Sequence, residues 1–487
     1  MVHVTFLPRN ISVPVRSGTT LLQAMIAAGL HPDAPCGGKG TCGKCRILVG
    51  GETVLACKTI ADRDMTVSIP ESDDVKILTA GISGNLRADG SHEYAAAFDI
   101  GTTTVVGFLL DGRNGELLAT ASAVNPQVQF GADVIARIET ALGADEPVLQ
   151  KAILPVLRQL LTEMTERANI SSEQIELVSI VGNTAMHHLF LGIDPKPLVT
   201  PPYMPEVREA MELPAAPLLY IAPDGILRIL PNIAGFVGAD TVGCMTAVDF
   251  GNIRELTLMI DIGTNGEMVL GDRDRRIACS TAAGPAFEGA RISMGMRGSP
   301  GAIDHVWLEN DQICHHTIGD VPAKGICGSG LLDLVACLLD LGVLDESGCL
   351  DEKCYTVPGT GVSLTQKDIR EVQLAKAAIR AGIELMCEHL GVQADGIRQV
   401  LLAGAFGNYL DPRSACRIGM IPPALLDRIK PIGNAAGEGA KICAVSREAY
   451  EYSKQLAAQT EFLELASKPE FQDCFVDALE FCEEEEE

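Results

Sequence analysis

The hydrophobic pattern of the first 70 residues predicts a small sheet with one helix. Apolar and polar residues alternate over Val2 to Val15, as in a β-hairpin, and Thr19 to Ala28 has the apolar spacing of a helix. Arg46 to Val49 and Met65 to Ile69 have the pattern of short strands. This order of elements predicts a β-grasp-like domain over residues 1–72.

The next segment has a different composition. Pro70 to Ser91 combines Glu, Asp, Gly, Ser and Asn with a single short apolar patch, Val75 to Leu78, and this mixture is typical of a linker or hinge. We therefore expect a linker at residues 73–93. At the other end of the chain, the acidic run Glu483 to Glu487 predicts a solvated, disordered tail within residues 466–487.

Between these segments the chain contains a repeat in the order of its elements. An apolar strand followed by Asp-Ile-Gly-Thr occurs at Asp99 and again at Asp261, and each copy continues into a second apolar strand. Each copy also has a later strand that ends in glycine, at Gly182 and Gly404. The repeat predicts two pseudo-equivalent halves, residues 94–195 and residues 196–465, the second with a longer insertion.

The paired turns predict the two sides of a nucleotide cleft. Asp99 and Asp261 would face each other and hold a hydrated Mg2+, while glycines and small hydroxyl residues let backbone N–H groups approach the β- and γ-phosphates. Phosphoryl transfer needs positioning and charge neutralisation more than a nucleophile. One such turn often only closes a hairpin, but two copies favour the nucleotide interpretation. Further hydrogen bonds would come from Thr102, Thr103, Thr264 and Asn265.

Four cysteines near the start have the spacing Cys36-x5-Cys42-x2-Cys45-x11-Cys57. Four thiolates are the usual ligands of a [2Fe-2S] cluster, and the glycine-rich loop that carries three of them can curl around an inorganic core. Zinc sites usually present two separated C-x2-C pairs and fit this spacing poorly, and ordinary buried thiols are a further alternative. We predict that the four cysteines bind a [2Fe-2S] cluster.

Charge and cysteine content narrow the class of protein. The chain has 487 residues and a net charge of −26, which argues against binding to nucleic acid or to anionic membranes. The start lacks a signal-peptide pattern, and Asp333 and Asp340 interrupt the most apolar later stretch, so we expect no membrane span. Sixteen cysteines without a secretory signal predict a reducing, cytoplasmic location.

Residues Tyr94 to Ser453 resemble the acetate kinase, sugar kinase, Hsp70 and actin superfamily, in which duplicated RNase H-like domains close around ATP. The resemblance implies an α/β fold in which Asp99 and Asp261 are catalytic and Gly404 to Asn408 form the adenosine loop. The segment Gly325 to Gly330 could cap the nucleotide or could be only a tight turn before a buried helix. The nucleotide ligands that the resemblance adds are Gly101, Thr104, Gly263, Gly266, Gly404, Ala405, Gly407 and Asn408.

A ferredoxin-type domain joined to such an ATPase is a narrower pattern, similar to the reductive activators of corrinoid proteins. The resemblance implies that the cluster receives an electron from a low-potential donor of ferredoxin or flavodoxin type. ATP would assist transfer to a Co(II) corrinoid protein of a methyltransferase system, regenerating Co(I), and a homodimer is implied. The segments that carry this resemblance are residues 125–138, 181–192, 235–243, 261–268, 279–292 and 370–383.

Two other functions stay open at this point. One is a redox-sensing, nucleotide-dependent regulator without reductive turnover, and the other is a small-molecule kinase, for which the four cysteines have no evident purpose. His187 and His188 follow a glycine turn on an apolar helix, so we expect packed structural histidines and not cobalt ligands. Glu288 and Arg291 could meet phosphate or lie on a helix surface, and neither is assigned to the site.

Overall fold

The structure is a computed structural model. The expected linker is described only over residues 87–93, and Cys36, Cys42 and residues 483–487 of the expected tail also lie outside the described residues. The structure describes residues 1–8, 10–30, 34, 38, 40, 45–69, 87–131, 133–465 and 468–482.

The N-terminal region forms a five-stranded sheet with one helix packed against it. Its strand order is β2-β1-β7-β4-β5, with β1 antiparallel to β2 and parallel to β7, which is the β-grasp order that the sequence predicts. Thr20 and Gln23 form a capping box that begins the helix. The elements are β1 (Val2–Leu7), β2 (Ile11–Val15), β3 (Thr19–Thr20), α1 (Leu21–Ala27), β4 (Arg46–Val49), β5 (Glu52–Leu55), β6 (Ile60–Ala61) and β7 (Met65–Ser68).

A second region begins at Tyr94 and contains a six-stranded sheet of order β10-β9-β8-β11-β13-β12. Its strands are near-continuous apolar runs because helices cover both faces. The elements are β8 (Tyr94–Ile100), β9 (Thr104–Asp111), β10 (Leu117–Val124), α2 (Val134–Leu142), α3 (Val148–Ala168), β11 (Ile175–Gly182), α4 (Thr184–Leu191), β12 (Met211–Pro214), α5 (Ala216–Leu219), β13 (Ile226–Ile229) and α6 (Ala239–Ala247).

The third region contains a sheet of order β23-β22-β14-β15-β16-β24 and a separate sheet of order β18-β17-β19. The elements are β14 (Thr257–Ile262), β15 (Gly266–Gly271), β16 (Arg276–Thr281), β17 (Ala302–Glu309), β18 (Gln312–Thr317), β19 (Gly325–Ile326), α7 (Gly328–Asp340), β20 (Cys354–Thr356), β21 (Ser363–Thr365), α8 (Gln366–Leu390), β22 (Gln399–Ala403), α9 (Gly404–Tyr409), α10 (Pro412–Arg417), β23 (Ile429–Gly433), α11 (Ala435–Val445), α12 (Arg447–Gln459), β24 (Glu461–Phe462) and α13 (Pro469–Asp477).

Short 3-10 helices complete the described structure. The 3-10 helices are Pro126–Phe130, Ser172–Gln174, Lys196–Leu198, Phe250–Asn252, Pro285–Glu288, Ile318–Asp320, Ala394–Gly396 and Pro423–Arg428.

Across the described ranges, no helix has the length and apolar character that a bilayer crossing requires.

The two large sheets repeat one topology, which confirms the predicted α/β class and its duplication. In the first sheet β8, β9 and β10 form an antiparallel meander, and β11 and β13 continue on the other side of β8 in parallel. In the second sheet β14, β15 and β16 form the meander, and β22 and β23 continue in parallel beside β14. The first sheet includes β12 and β13 and so extends past residue 195, where the sequence analysis divided the halves.

The inner faces of both sheets share one hydrophobic core with α6 and α11. This core contains Phe108 of the first sheet and Met259 of the second, both almost fully buried. The two helices approach closely at glycines, since a Cβ on Gly243 would lie 2.9 Å from the carbonyl oxygen of Ala436 and a Cβ on Gly439 would overlap the carbonyl oxygen of Gly243. The close contact of α6 and α11 therefore forms part of the core that joins the two halves.

We expect Gly439→Ala to lower the free energy of unfolding by about 1–3 kcal/mol, because the added methyl group must push α6 and α11 apart. Urea denaturation followed by circular dichroism measures the change. Gly361→Ala is the matched control, since a Cβ at Gly361 meets no atom within 4 Å. Equal midpoints for the two variants would contradict the close-packing argument.

Candidate nucleotide cleft and iron-sulfur site

Asp99 and Asp261 occupy equivalent places at the floor of a cleft between the two halves. Asp99 is the penultimate residue of β8 and Asp261 the penultimate residue of β14, the first strand of each meander. Both side chains keep some exposure, yet the surrounding protein removes most of their hydration. Burial, with repulsion from Asp240 adding to it, raises the pKa of each carboxyl to about 7. The structure thus places the two predicted aspartates in one desolvated acidic region.

Two further carboxyl groups belong to the same region and were absent from the predicted site. Asp240, in the first turn of α6, has its pKa raised to about 6 by burial. Glu267 of β15 has its pKa raised by burial and by repulsion from Asp240 and Asp261. Both lie in segments that carry the corrinoid-activator resemblance, residues 235–243 and 261–268, which was the available signal.

This oxygen-rich region fits a divalent cation. Desolvated like charges are costly unless a counter-charge compensates them, and hard oxygen ligands suit Mg2+. Within the described residues, no three acidic, cysteine or histidine side chains converge tightly enough to form a metal-ligand group. Mg2+ commonly keeps several waters and binds through one or two carboxylates plus substrate phosphates, so the arrangement suits an ion that arrives with a nucleotide.

Polar side chains from the first half hold the turn that follows β8. Asn125 Nδ2 donates to the carbonyl oxygen of Gly101 at 2.8 Å, and Asn183 Nδ2 donates to Thr102 Oγ1 at 2.9 Å. Buried Arg137 donates from Nη2 to the carbonyl oxygen of Thr102 at 2.5 Å. Sequence reasoning missed Asn125, Arg137 and Asn183, although all three lie in the resemblance segments 125–138 and 181–192.

The predicted adenosine loop begins directly above Asp261. Gly404 follows β22 with φ of 81°, and a Cβ there would lie 2.5 Å from Asp261 Oδ1, so a larger residue is excluded. The rest of the predicted loop, with Ala405, Gly407 and Asn408, forms the short helix α9. Phe406 of this helix stacks on Phe287, with ring centroids 4.9 Å apart and an interplanar angle of 1°.

The predicted residues of the second turn divide into two groups. Gly263 borders open space, since the nearest atom to an added Cβ is 3.8 Å away, and its N–H donates to the carbonyl oxygen of Asn265. Gly266, in contrast, begins β15, and an added Cβ would lie 2.9 Å from Thr281 Oγ1. In the first turn Thr104 begins β9 and pairs with Val124. Gly266 and Thr104 therefore contribute to the strand ladders that support the turns.

Glu288 lies at the cleft, whereas Arg291 lies on the surface. Glu288 accepts hydrogen bonds from Thr103 Oγ1 at 3.1 Å and from Thr264 Oγ1 at 2.6 Å, one residue in each predicted phosphate turn. The Arg291 side chain is 64% exposed and pairs with Glu371 at 3.9 Å. The sequence analysis left both roles open, and their separation follows from the turn at Gly289, whose φ is 73°.

Asn434 is another cleft residue that the sequence did not indicate. Its side chain accepts from the N–H of Gly437 at 2.7 Å at the start of α11 and also hydrogen-bonds Asp99. An asparagine at a helix N-cap is common and gives no sign of function on its own. Only the contact between α11 and β8 brings Asn434 to Asp99.

The histidine pair is buried, in agreement with the expected structural role. His188 Nδ1 lies 2.7 Å from the carbonyl oxygen of Thr184, and His187 Nδ1 lies 2.5 Å from Asn232 Nδ2. Burial lowers the pKa of His187 to about 3, so its imidazole is neutral at ordinary pH.

The glycines of Gly325 to Gly330 are required by close packing. A Cβ on Gly325 would lie 2.5 Å from the carbonyl oxygen of Met294, and a Cβ on Gly330 would overlap the carbonyl oxygen of Ile303. Helix α7, which this segment begins, is buried over nearly its whole length. These contacts favour the packing alternative over a nucleotide cap.

Two of the predicted cluster ligands lie together in the N-terminal core. Cys45 is 3% exposed and Cys57 packs against the same core. The hairpin of β4 and β5 closes with the N–H of Ala56 donating to the carbonyl oxygen of Cys45 at 2.8 Å. Gly38, with φ of 83°, would place a Cβ 3.9 Å from the Cβ of Cys57, so Gly38 lies beside this cysteine. Thiolates in this arrangement suit iron or another soft metal.

The fold and the two sites define a class of protein in which a ferredoxin-type domain is joined to a duplicated, actin-like nucleotide-binding core. Residues 4–68 match the 2Fe-2S iron-sulfur cluster binding domain, residues 94–252 the RACo middle region, and residues 255–487 the C-terminal domain of RACo, the ASKHA domain. The chain belongs to the RACo family of corrinoid activation enzymes.

Similar proteins carry consistent names. The corrinoid activation enzyme RamQ of Eubacterium limosum is 38% identical over an alignment of 415 residues that covers 79% of this chain and 69% of RamQ. The [Co(II) methylated amine-specific corrinoid protein] reductase of Methanosarcina barkeri is 28% identical over an alignment of 379 residues that covers 70% of this chain and 68% of that protein. The solved structure of a reductive activator for corrinoid, iron-sulfur protein is 29% identical with a TM-score of 0.71, covering 99% of this chain and 98% of that chain.

The raised carboxyl pKa values predict how stability depends on pH. Asp99 and Asp261 bind protons more tightly when folded than when unfolded, so the free energy of unfolding of the nucleotide-free protein should fall as pH rises from about 4 to about 7. Asp261→Asn removes one titrating charge and should stabilise the protein by about 1–3 kcal/mol at pH 8 while flattening the slope. Urea unfolding of both proteins between pH 5 and pH 8 measures this. A parallel slope for wild type and variant would contradict the assignment.

Proposed function

We propose that this protein is an ATP-dependent reductive activator of a corrinoid protein. It passes one electron from a reduced [2Fe-2S] cluster to Co(II) of the corrinoid, giving Co(I) and the oxidised cluster, and ATP is hydrolysed to ADP and phosphate. The observation that carries the proposal is the presence of both parts in one chain, Cys45 and Cys57 in the N-terminal core and the carboxylate cleft in the duplicated core, in a family whose named members activate corrinoids.

The cleft residues provide what phosphoryl transfer to water requires. Asp99 and Asp261, together with Mg2+, would orient the phosphates and the attacking water. Because the pKa of each carboxyl is about 7, a bound cation would shift both groups to the charged form near neutral pH. Asn125, Arg137 and Asn183 fix the turn after β8, so its backbone N–H groups are already oriented before a nucleotide binds. Gly404, which has no Cβ, lets the start of the predicted adenosine loop lie directly against Asp261.

The N-terminal residues provide a site for one-electron chemistry. Cys36, Cys42, Cys45 and Cys57 would hold the cluster, which supplies a one-electron couple when bound. Cys45 is almost excluded from water, while Cys57 is partly exposed at the edge of the core. A partly exposed ligand gives an approaching partner a short route to the site.

ATP is needed in this proposal because transfer to a very low-potential acceptor is unfavourable. Each unfavourable step of about 59 mV costs a factor of ten in the equilibrium of a one-electron transfer. Differential binding of nucleotide to two conformations of the cleft can stabilise the complex in which transfer occurs. Asp99 and Asp261 belong to different halves of the duplicated core, so a bound nucleotide would contact both halves.

The partners follow from the same chemistry. We propose a corrinoid protein of a methyltransferase system as the acceptor and a ferredoxin or flavodoxin as the low-potential donor. The protein would act as a homodimer in a reducing cytoplasm, where the thiols outside the cluster stay reduced. Light scattering of the purified protein measures its oligomeric state.

The direct test follows the cobalt spectrum under anaerobic conditions. Reduced protein is mixed with a Co(II) corrinoid protein, with and without Mg-ATP, and we expect ATP-dependent loss of Co(II) with appearance of Co(I). Cys57→Ala should abolish the conversion with ATP hydrolysis retained, whereas Asp261→Ala should abolish both. Cys349→Ala, at an exposed cysteine outside the predicted ligand set, is the matched control and should leave both activities unchanged.

Two results would count against reductive turnover. Failure to convert several corrinoid proteins, with an intact cluster and bound ATP, would contradict the proposal. If oxidation of the cluster then altered affinity for a partner protein, the redox-sensing regulator would be the better interpretation.

A further inference from the structure

Glu288 connects the two halves across the cleft. It is the last residue of the 3-10 helix Pro285–Glu288, and each of its carboxylate oxygens accepts a hydrogen bond from a different turn. Oε2 accepts from Thr103 Oγ1 at 3.1 Å, and Oε1 accepts from Thr264 Oγ1 at 2.6 Å. The two hydroxyl groups that the sequence predicts to bind phosphate therefore bind a carboxylate of the protein itself.

The surroundings of Glu288 favour an anion. Arg137 is buried beside the same turn and donates to the carbonyl oxygen of Thr102. Burial lowers the pKa of Arg137 to about 10, with the carboxylates of Asp133 and Glu288 opposing this shift and Arg297 adding to it. Two hydroxyl donors with nearby guanidinium groups also match the requirements of a phosphate group.

The 3-10 helix is held firmly in place. Gly289 has φ of 73°, and a Cβ there would come within 2.5 Å of the carbonyl oxygen of Met296, so the chain turns sharply after Glu288. Phe287 is buried and stacks on Phe406 of α9. The same four residues thus contact both predicted phosphate turns and the predicted adenosine loop.

We propose that Glu288 is a clasp that closes the nucleotide-free cleft and that the terminal phosphate of ATP displaces it from Thr103 and Thr264. The proposal rests on the proposed function in taking these two turns as phosphate-binding. ADP lacks the terminal phosphate and leaves the clasp in place. Because Phe287 precedes Glu288 and stacks on Phe406, the displacement of Glu288 by ATP, which ADP does not cause, then reaches α9.

Glu288→Gln tests the clasp because it keeps the side-chain volume and removes the charge. Isothermal titration calorimetry with Mg2+ compares a non-hydrolysable ATP analogue with ADP. Since a hydrogen bond to a charged group contributes about 1.5–3 kcal/mol, we expect the ATP analogue to bind at least about tenfold more tightly to the variant and ADP to change by less than about twofold. Glu352→Gln, at an exposed residue, makes the same charge change and should alter neither affinity.

A second measurement needs no nucleotide. Hydrogen exchange of the backbone amides at residues 101–104 and 263–265 should become faster in nucleotide-free Glu288→Gln, because hydrogen bonds to a neutral amide hold the two turns less strongly than hydrogen bonds to a carboxylate. Should that variant not fold, Glu288→Asp shortens the side chain by one methylene group. Its carboxylate reaches only one of the two hydroxyls, and we expect the same direction of change.

Several outcomes would overturn the clasp. Unchanged or weaker binding of the ATP analogue, or unchanged exchange, contradicts it, and slower ATP hydrolysis without tighter binding would instead make Glu288 a catalytic residue. The corrinoid assay separates this failure from failure of the proposed function. If the wild-type protein binds the ATP analogue but reduces no corrinoid protein, the proposed function is contradicted and the clasp can still be tested. If the wild-type protein binds no nucleotide, the clasp is contradicted as well.

Discussion

The cleft depends on four carboxyl groups that share one desolvated region although their charges repel one another. Asp99 and Asp261 come from equivalent strand ends, Asp240 from the start of α6 and Glu267 from β15. Desolvation raises the pKa of all four carboxyl groups. A fold that maintains this arrangement must offset its cost elsewhere, and in the proposed function a cation brought by a nucleotide would relieve it. The same repulsion would therefore make the nucleotide-free cleft responsive to its ligand.

The core between the two large sheets offsets that cost. Residues from both sheets pack with α6 and α11 into one apolar cluster, and Gly243 and Gly439 allow the helices to touch backbone to backbone. Such dense packing transmits displacement, because it has little free volume to absorb a shift. Asp240 begins α6 and Asn434 precedes α11, so the helices that hold the halves together also carry cleft residues.

The two chemical sites differ in how they are built. Cys45 and Cys57 stand at the two ends of the β4–β5 hairpin next to a small core, and the sequence spacing predicts Cys36 and Cys42 as their fellow ligands. The cleft is assembled from β8, β14, α6 and α11, which lie far apart in the chain. A short, self-contained redox site joined to a cleft that responds to nucleotide is the physical basis for coupling electron transfer to ATP.

The sequence alone determined the β-grasp-like order of elements in the N-terminal domain, the repeated order of elements in the rest of the chain and the place of Asp99 and Asp261 at equivalent strand ends, because periodicity and the repeated Asp-Ile-Gly-Thr turn encode them. It could not show that Glu288 reaches both Thr103 and Thr264, or that Asn434 meets Asp99. Those pairs are separated by up to 335 positions in the chain. Asp240 and Glu267 lie in segments that resemble the reductive activators of corrinoid proteins, yet the residues next to them in the sequence do not indicate a role in the cleft. Only the packing of α6 and α11 between the sheets decided which polar residues enter the cleft, because burial and proximity are properties of the assembled core and not of local pattern.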